Sequence, residues 1–144
     1  MRVEVMEYKV ENIVKVVKEV SDSYTYIDVI QKGLEYNKFD ALISGLPLSN
    51  SDWSSYLHLS ERTLQRYNKE QKSFDMQQSE RIIQILILFN LGFEVFGKPE
   101  KFYNWLTKSN IATGGKKPKE LLNSSFGIDL LKDELNRIQH GVLA

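Results

Sequence analysis

At 144 residues the chain has the length of one domain, or of two small ones sharing a core. A hydrophobic content of 42% is enough for a core at this length. The 19 basic residues cancel the 19 acidic ones, which excludes a general polyanion binder and requires any nucleic-acid contact to come from a local patch, and the absence of cysteine excludes disulfides and thiolate zinc sites.

Residues 1–24 are expected to form an N-terminal extension of unassigned role. Val10, Ile13, Val14 and Val17 fall at helical spacing, although the run is rich in β-branched residues. Residues 1–10 interleave charge with apolar side chains, so no signal-peptide pattern is expected there. Ser21-Asp22-Ser23 breaks the run. Thr25 with Asp28 resembles a capping box ahead of a short stripe of Ile27, Ile30 and Leu34. Phe39, Leu42, Ile43 and Leu46 form the next stripe, which Pro47 stops. Ser49 and Asp52 mark a further helix start before Trp53, Tyr56 and Leu57. Ser60 then caps a helix carrying Leu64 and Tyr67.

The longest helical pattern covers residues 77–96. Ile82, Ile85, Leu86, Phe89, Phe93 and Phe96 mark one side, and Ile83, Ile87, Leu88, Leu91 and Val95 the other. A helix apolar on nearly all sides is central, or turns one face to another subunit, so a homodimer is expected. Gln84, Asn90 and Glu94 interrupt the run, which is too short to span a bilayer. Gly97 ends it, and Pro99 suits the first turn of a helix with Phe102, Tyr103, Trp105 and Leu106. Residues 110–119 hold two glycines, three lysines and a proline and read as a loop. A last helix is expected from about Ile128, with Leu131, Leu135 and Ile138 inward and Gly141 as C-cap. No segment reads as a strand hairpin. The fold expected is all-α: a helix-turn-helix bundle, a long central helix and a small C-terminal helical domain.

Trp53, Leu57, Leu59, Leu64 and Tyr67 are spaced as the apolar skeleton of a helix-turn-helix, two short helices crossing steeply about a three- or four-residue turn. Ser54 supplies a small residue at the crossing. With that skeleton inward, Ser60, Glu61, Arg62, Gln65, Arg66 and Lys69 must face outward. Arg forks onto guanine and Gln pairs with adenine, while Lys69 suits a phosphate. The candidate DNA-binding residues are therefore Ser60, Arg62, Gln65, Arg66 and Lys69. From Ser60 to Lys72, four basic residues stand against Glu61 and Glu70. The structural alternative stays open, because polar outer faces are common on short helices that touch no DNA. His58 stands where such a turn usually takes glycine, and Glu61 would repel a phosphate.

The order of motifs resembles the Xre/MbcA/ParS antitoxins. The resemblance covers about residues 25–144. It is carried by LSERTLQRY, by Phe96-Gly97 before a helix ending in Trp105-Leu106, by Gly114-Gly115, by Pro118 through Leu122, by Gly127, and by Arg137 through Gly141. It divides the chain into an extension (1–24), an Xre-like helix-turn-helix region (25–76) and a toxin-binding domain (77–144). The resemblance implies a cytoplasmic antitoxin of a type II toxin–antitoxin system, without cofactor, that blocks the active site of an NAD-consuming RES-domain toxin and binds operator DNA for autoregulation. Pro118, Leu122, Arg137, His140, Gly141, Val142 and Leu143 are the candidate toxin-binding residues. Arg137 and His140 would lie nearest the toxin pocket, and Val142 and Leu143 would anchor it. A stand-alone helix-turn-helix regulator with a helical dimerisation domain is the alternative.

Catalysis is not expected. His58 and His140 are the only histidines, and neither has a companion at metal-ligand spacing that faces a plausible site. No nucleophile elbow, phosphate loop or dinucleotide fingerprint is present.

Overall fold

The computed structural model describes residues 23–141, so the helical pattern at Val10–Val17 and the candidates Val142 and Leu143 lie outside the described residues. The described residues are all-α. In chain order the helices are α1 (Ser23–Lys32), α2 (Tyr36–Ile43), α3 (Asn50–Leu57), α4 (Glu61–Glu70), α5 (Met76–Phe96), α6 (Pro99–Thr107) and α7 (Ser125–Gln139), with 3-10 turns η1 (Ile111–Thr113) and η2 (Pro118–Leu121) between α6 and α7. Two compact units divide within α5, between Ile83 and Gln84. No single helix among the described residues is long and apolar enough to cross a membrane.

The first unit is built on aromatic rings. Phe39, on α2, meets Tyr36, Trp53 and Phe74 edge-on at centroid distances of 5.4, 5.1 and 4.9 Å. Edge-to-face contacts of this kind exceed their area burial by about 0.5–1.5 kcal/mol each. Phe74 precedes α5 and is fully buried, and the stretch around it is stitched to the chain after α1. The Phe74 N–H donates to the Leu34 carbonyl at 2.9 Å, and the Leu34 N–H donates to Ser79 Oγ at 2.9 Å. Gly33 makes this approach possible. It has φ +85°, and a Cβ there would stand 2.5 Å from the Phe74 carbonyl oxygen.

Local capping sets most helix starts. Ser49 and Asp52 mark the expected helix start, and do so as a reciprocal capping box with bonds of 3.0 and 2.9 Å. Asp75 and Gln78 form a second one at the start of α5, at 2.7 and 3.0 Å. Thr25 is not a cap. It lies inside α1, which begins at Ser23, and Asp28 instead bonds Lys32 one turn on at 3.0 Å. Ile27 is about half exposed, so the stripe expected on α1 is not a wholly inward one.

The second unit gathers Phe89, Phe93 and Phe96 of α5 around Phe102 of α6, which is fully buried. Tyr103 beside them has its phenol pushed up to about 12, first by burial and then by the charge of Glu100. η2 packs on both α6 and α7. At Gly127 a Cβ would run into the Leu121 carbonyl oxygen, so only glycine lets α7 come this close to η2. α7 starts at Ser125, earlier than the apolar pattern predicts, because Ser124 Oγ accepts from the Gly127 N–H at 3.0 Å. On the second side of α5, Ile83 and Leu88 are already buried by the chain itself, while Ile87, Leu91 and Val95 stay half-buried.

Candidate functional site

The stretch from α3 to α4 has the geometry of a helix-turn-helix. Three residues, His58, Leu59 and Ser60, separate the helices. His58 adopts the left-handed conformation at φ 55°, the role glycine usually takes, and histidine is among the side chains that enter it most readily. The Leu59 N–H returns to the Ser54 carbonyl at 3.0 Å, which closes α3. Ser60 Oγ accepts from the Thr63 N–H at 3.0 Å and starts α4. Trp53, Leu57 and Leu64 are buried; Leu59 and Tyr67 are half-buried. Arg81 of α5 donates to the Tyr56 carbonyl at 3.2 Å, placing a cation at the C-terminal end of α3, where the helix dipole favours it. Burial lowers the Arg81 pKa, and Glu80 opposes that shift.

This framework leaves one face of α4 polar and exposed. Arg62, Gln65, Arg66 and Lys69, with Thr63, line a surface concavity. No side-chain hydrogen bond or ion pair joins Arg62, Gln65, Arg66 or Lys69 to another described residue. Ser60 is exposed too, but its hydroxyl is engaged as the helix cap and with Thr63 Oγ1 at 2.8 Å. Glu61 stands at the first turn of α4, where it complements the dipole. Lys72 lies over the Tyr67 ring, 5.2 Å from its centroid, beyond the helix end.

The C-terminal candidates divide in two. Pro118 and Leu122 are buried, so neither presents a side chain to a partner; both fill the space where η2 meets its neighbours. Arg137, His140 and Gly141 are exposed at the end of α7. Arg137 reaches Glu134 at 3.5 Å, a surface pair of small net worth that leaves most of its donors available. The His140 N–H donates to the Asn136 carbonyl at 3.1 Å, and Gly141, at φ 65°, donates to the Ile138 carbonyl at 3.2 Å. Trp105 is half-buried against Phe96 and Phe102, and its indole N–H is enclosed without an acceptor. Sequence reasoning missed Phe126 and Leu130, both exposed on α7. The serine pair before them was the available signal for an earlier helix start. Among the described residues no group of three or more His, Asp or Glu side chains could hold a metal ion.

Among the described residues a helix-turn-helix is followed by a second helical unit, the plan of a two-part helix-turn-helix protein. The family comparison narrows the class. Residues 26–86 match the antitoxin Xre-like helix-turn-helix domain, and residues 91–141 match the antitoxin Xre/MbcA/ParS C-terminal toxin-binding domain. The chain belongs to the Xre/MbcA/ParS antitoxins by both of its domains, and is an antitoxin of a toxin–antitoxin pair carrying a helix-turn-helix. No curated protein matches the sequence.

Proposed function

We propose that the chain neutralises an NAD-consuming RES-domain toxin in the cytoplasm by occupying its active site, and that it represses its own operon through α4. The observation that carries the reading is the pairing, in one chain, of an unengaged Arg/Gln/Arg/Lys face on a helix-turn-helix with a domain of the toxin-binding type. In this reading residues 25–76 contact DNA, residues 77–144 contact the toxin, and residues 1–24 are an extension. Arg137, His140 and Gly141 make the toxin contact from the end of α7, joined by Val142 and Leu143, while Pro118 and Leu122 hold η2 in place beneath it. The work is binding alone and needs no cofactor. Co-expression with any RES-domain protein encoded beside it tests the reading: a stable complex and restored growth are expected. A chain that represses its operon yet neither binds that toxin nor protects against it would be a stand-alone regulator instead.

On the DNA side, Arg62 and Arg66 carry readout and Lys69 holds the backbone. Arg66→Ala is expected to cost about 1–3 kcal/mol and relax preference at one base pair. Lys69→Ala is expected to weaken binding evenly and flatten its salt dependence. Titrations of operator DNA at several salt concentrations separate the two. Unchanged affinity and repression with Arg66→Ala would make the helix-turn-helix structural.

The antitoxin acts as a homodimer in this reading, with Ile87, Leu91 and Val95 as the half-buried residues available to a second copy. A specific interface of about 1,200–2,000 Å² is expected. It would pair two recognition helices for a two-fold operator. Light scattering at micromolar concentration checks it, and a monomer mass would refute it.

A further inference from the structure

We infer that Phe126 and Leu130 are the apolar anchor by which α7 docks on the toxin, in a pocket with a basic rim. The inference rests on the toxin-binding reading above and assigns that contact a place on the helix. Phe126 is 84% exposed and Leu130 40% exposed, although α7 has a complete inner face in Gly127, Ile128, Leu131 and Leu135. The exposed pair contributes little to its own core. An exposed phenylalanine beside a leucine one turn away marks an interaction surface better than a scattered apolar residue does. The spacing 126, 130, 133, 137, 140 follows the 3.6-residue repeat, so Phe126, Leu130, Asp133, Arg137 and His140 share one side of α7. The anchor is therefore continuous along the helix with the polar residues already placed against the toxin. Its immediate flank is acidic. Asp129 and Asp133 are both exposed, and neither pairs with a cation among the described residues. Negative flanks around an apolar centre favour a partner with basic side chains around an apolar hollow.

The test uses the full chain and any RES-domain protein encoded beside it, mixed and followed by calorimetry. Circular dichroism comes first; both substitutions lie on the surface, so Phe126→Ser with Leu130→Ser is expected to leave the helix content unchanged. The doubly substituted chain is expected to bind the toxin at least about 100-fold more weakly than the wild type. Asp129→Lys with Asp133→Lys is expected to lose about tenfold and to respond less to salt. Wild-type binding with an effect of threefold or less from the folded Phe126/Leu130 variant overturns the anchor and leaves the toxin-binding reading intact. No binding by the wild type removes that reading, and the anchor with it. A variant that turns a wild-type dimer into a monomer but keeps full toxin affinity also overturns the proposal, because the surface then belongs to a second copy of this chain.

Discussion

Trp53→Ala should unfold the helix-turn-helix unit or leave it barely stable, with a cost of about 3–5 kcal/mol. The side chain is 1% exposed and fills the angle between α3 and its neighbours, edge-on to Phe39 at 5.1 Å and to Tyr56 at 5.6 Å. A loss of this size is a large part of what a small domain has in total. Trp53→Phe should behave differently. The indole N–H is buried without an acceptor, a condition that costs about 1–3 kcal/mol. Phenylalanine removes that group as it removes ring volume, so the two effects oppose each other and the net cost should stay below about 1.5 kcal/mol. Urea unfolding followed by far-ultraviolet circular dichroism measures both. Operator binding should vanish in Trp53→Ala and persist in Trp53→Phe, since the DNA contact proposed for α4 needs α3 to hold that helix in place. A Trp53→Phe cost clearly above about 1.5 kcal/mol would mean that the indole N–H has found a partner in solution.

The contrast between the two units shows what a sequence discloses. The helix-turn-helix was legible because its determinants are local: the Ser49–Asp52 box, the Ser60 cap, and the apolar spacing from Trp53 to Tyr67. Even the awkward residue was legible, since His58 takes the left-handed position its place in the turn requires. What escaped were bonds between distant stretches. Phe74, in the stretch before α5, drew no reading from the sequence, yet it closes the aromatic core because Leu34 and Ser79 hold its backbone region. Arg81 drew no reading either, and only the folded chain brings it to the Tyr56 carbonyl. At the other end, Pro118 and Leu122 were read as contact residues from their motif. Their burial shows that a motif can mark a packing demand as readily as a binding one. Phe126 and Leu130 were hidden for a simpler reason. Apolar periodicity dates the start of α7 from its first inward residues, and Ser124 starts the helix before them.

Removal of residues 137–144 should abolish neutralisation: the shortened chain is expected neither to rescue growth nor to co-purify with the toxin. A plug excludes substrate by area and shape, and interface energy concentrates in few side chains, so a small loss is decisive. The structure shows why this deletion needs a companion. Residues 137–139 are still helix, Ile138 is half-buried, and the bonds from His140 to Asn136 and from Gly141 to Ile138 close the last turn. The deletion therefore strips packing and capping together with the contact groups. Arg137→Ala with His140→Ala leaves every one of those backbone bonds in place and removes only exposed side chains. Little is lost within the chain, because the Arg137–Glu134 contact is long, at 3.5 Å, and its Arg137 end is exposed. On the proposed reading the loss against the toxin should be large, because a planar guanidinium paired with acidic or polar groups has no substitute in alanine. A hot-spot arginine is worth about 2 kcal/mol or more, roughly 30-fold in affinity. The double variant should thus keep wild-type helix content, lose at least that factor in toxin binding, and fail to restore growth when co-expressed at wild-type levels. If both folded variants still protect and still co-purify, the end of α7 is not the blocking element. The contact then lies on Trp105 and the lysine loop of residues 116–119, or on the Phe126 end of the same helix.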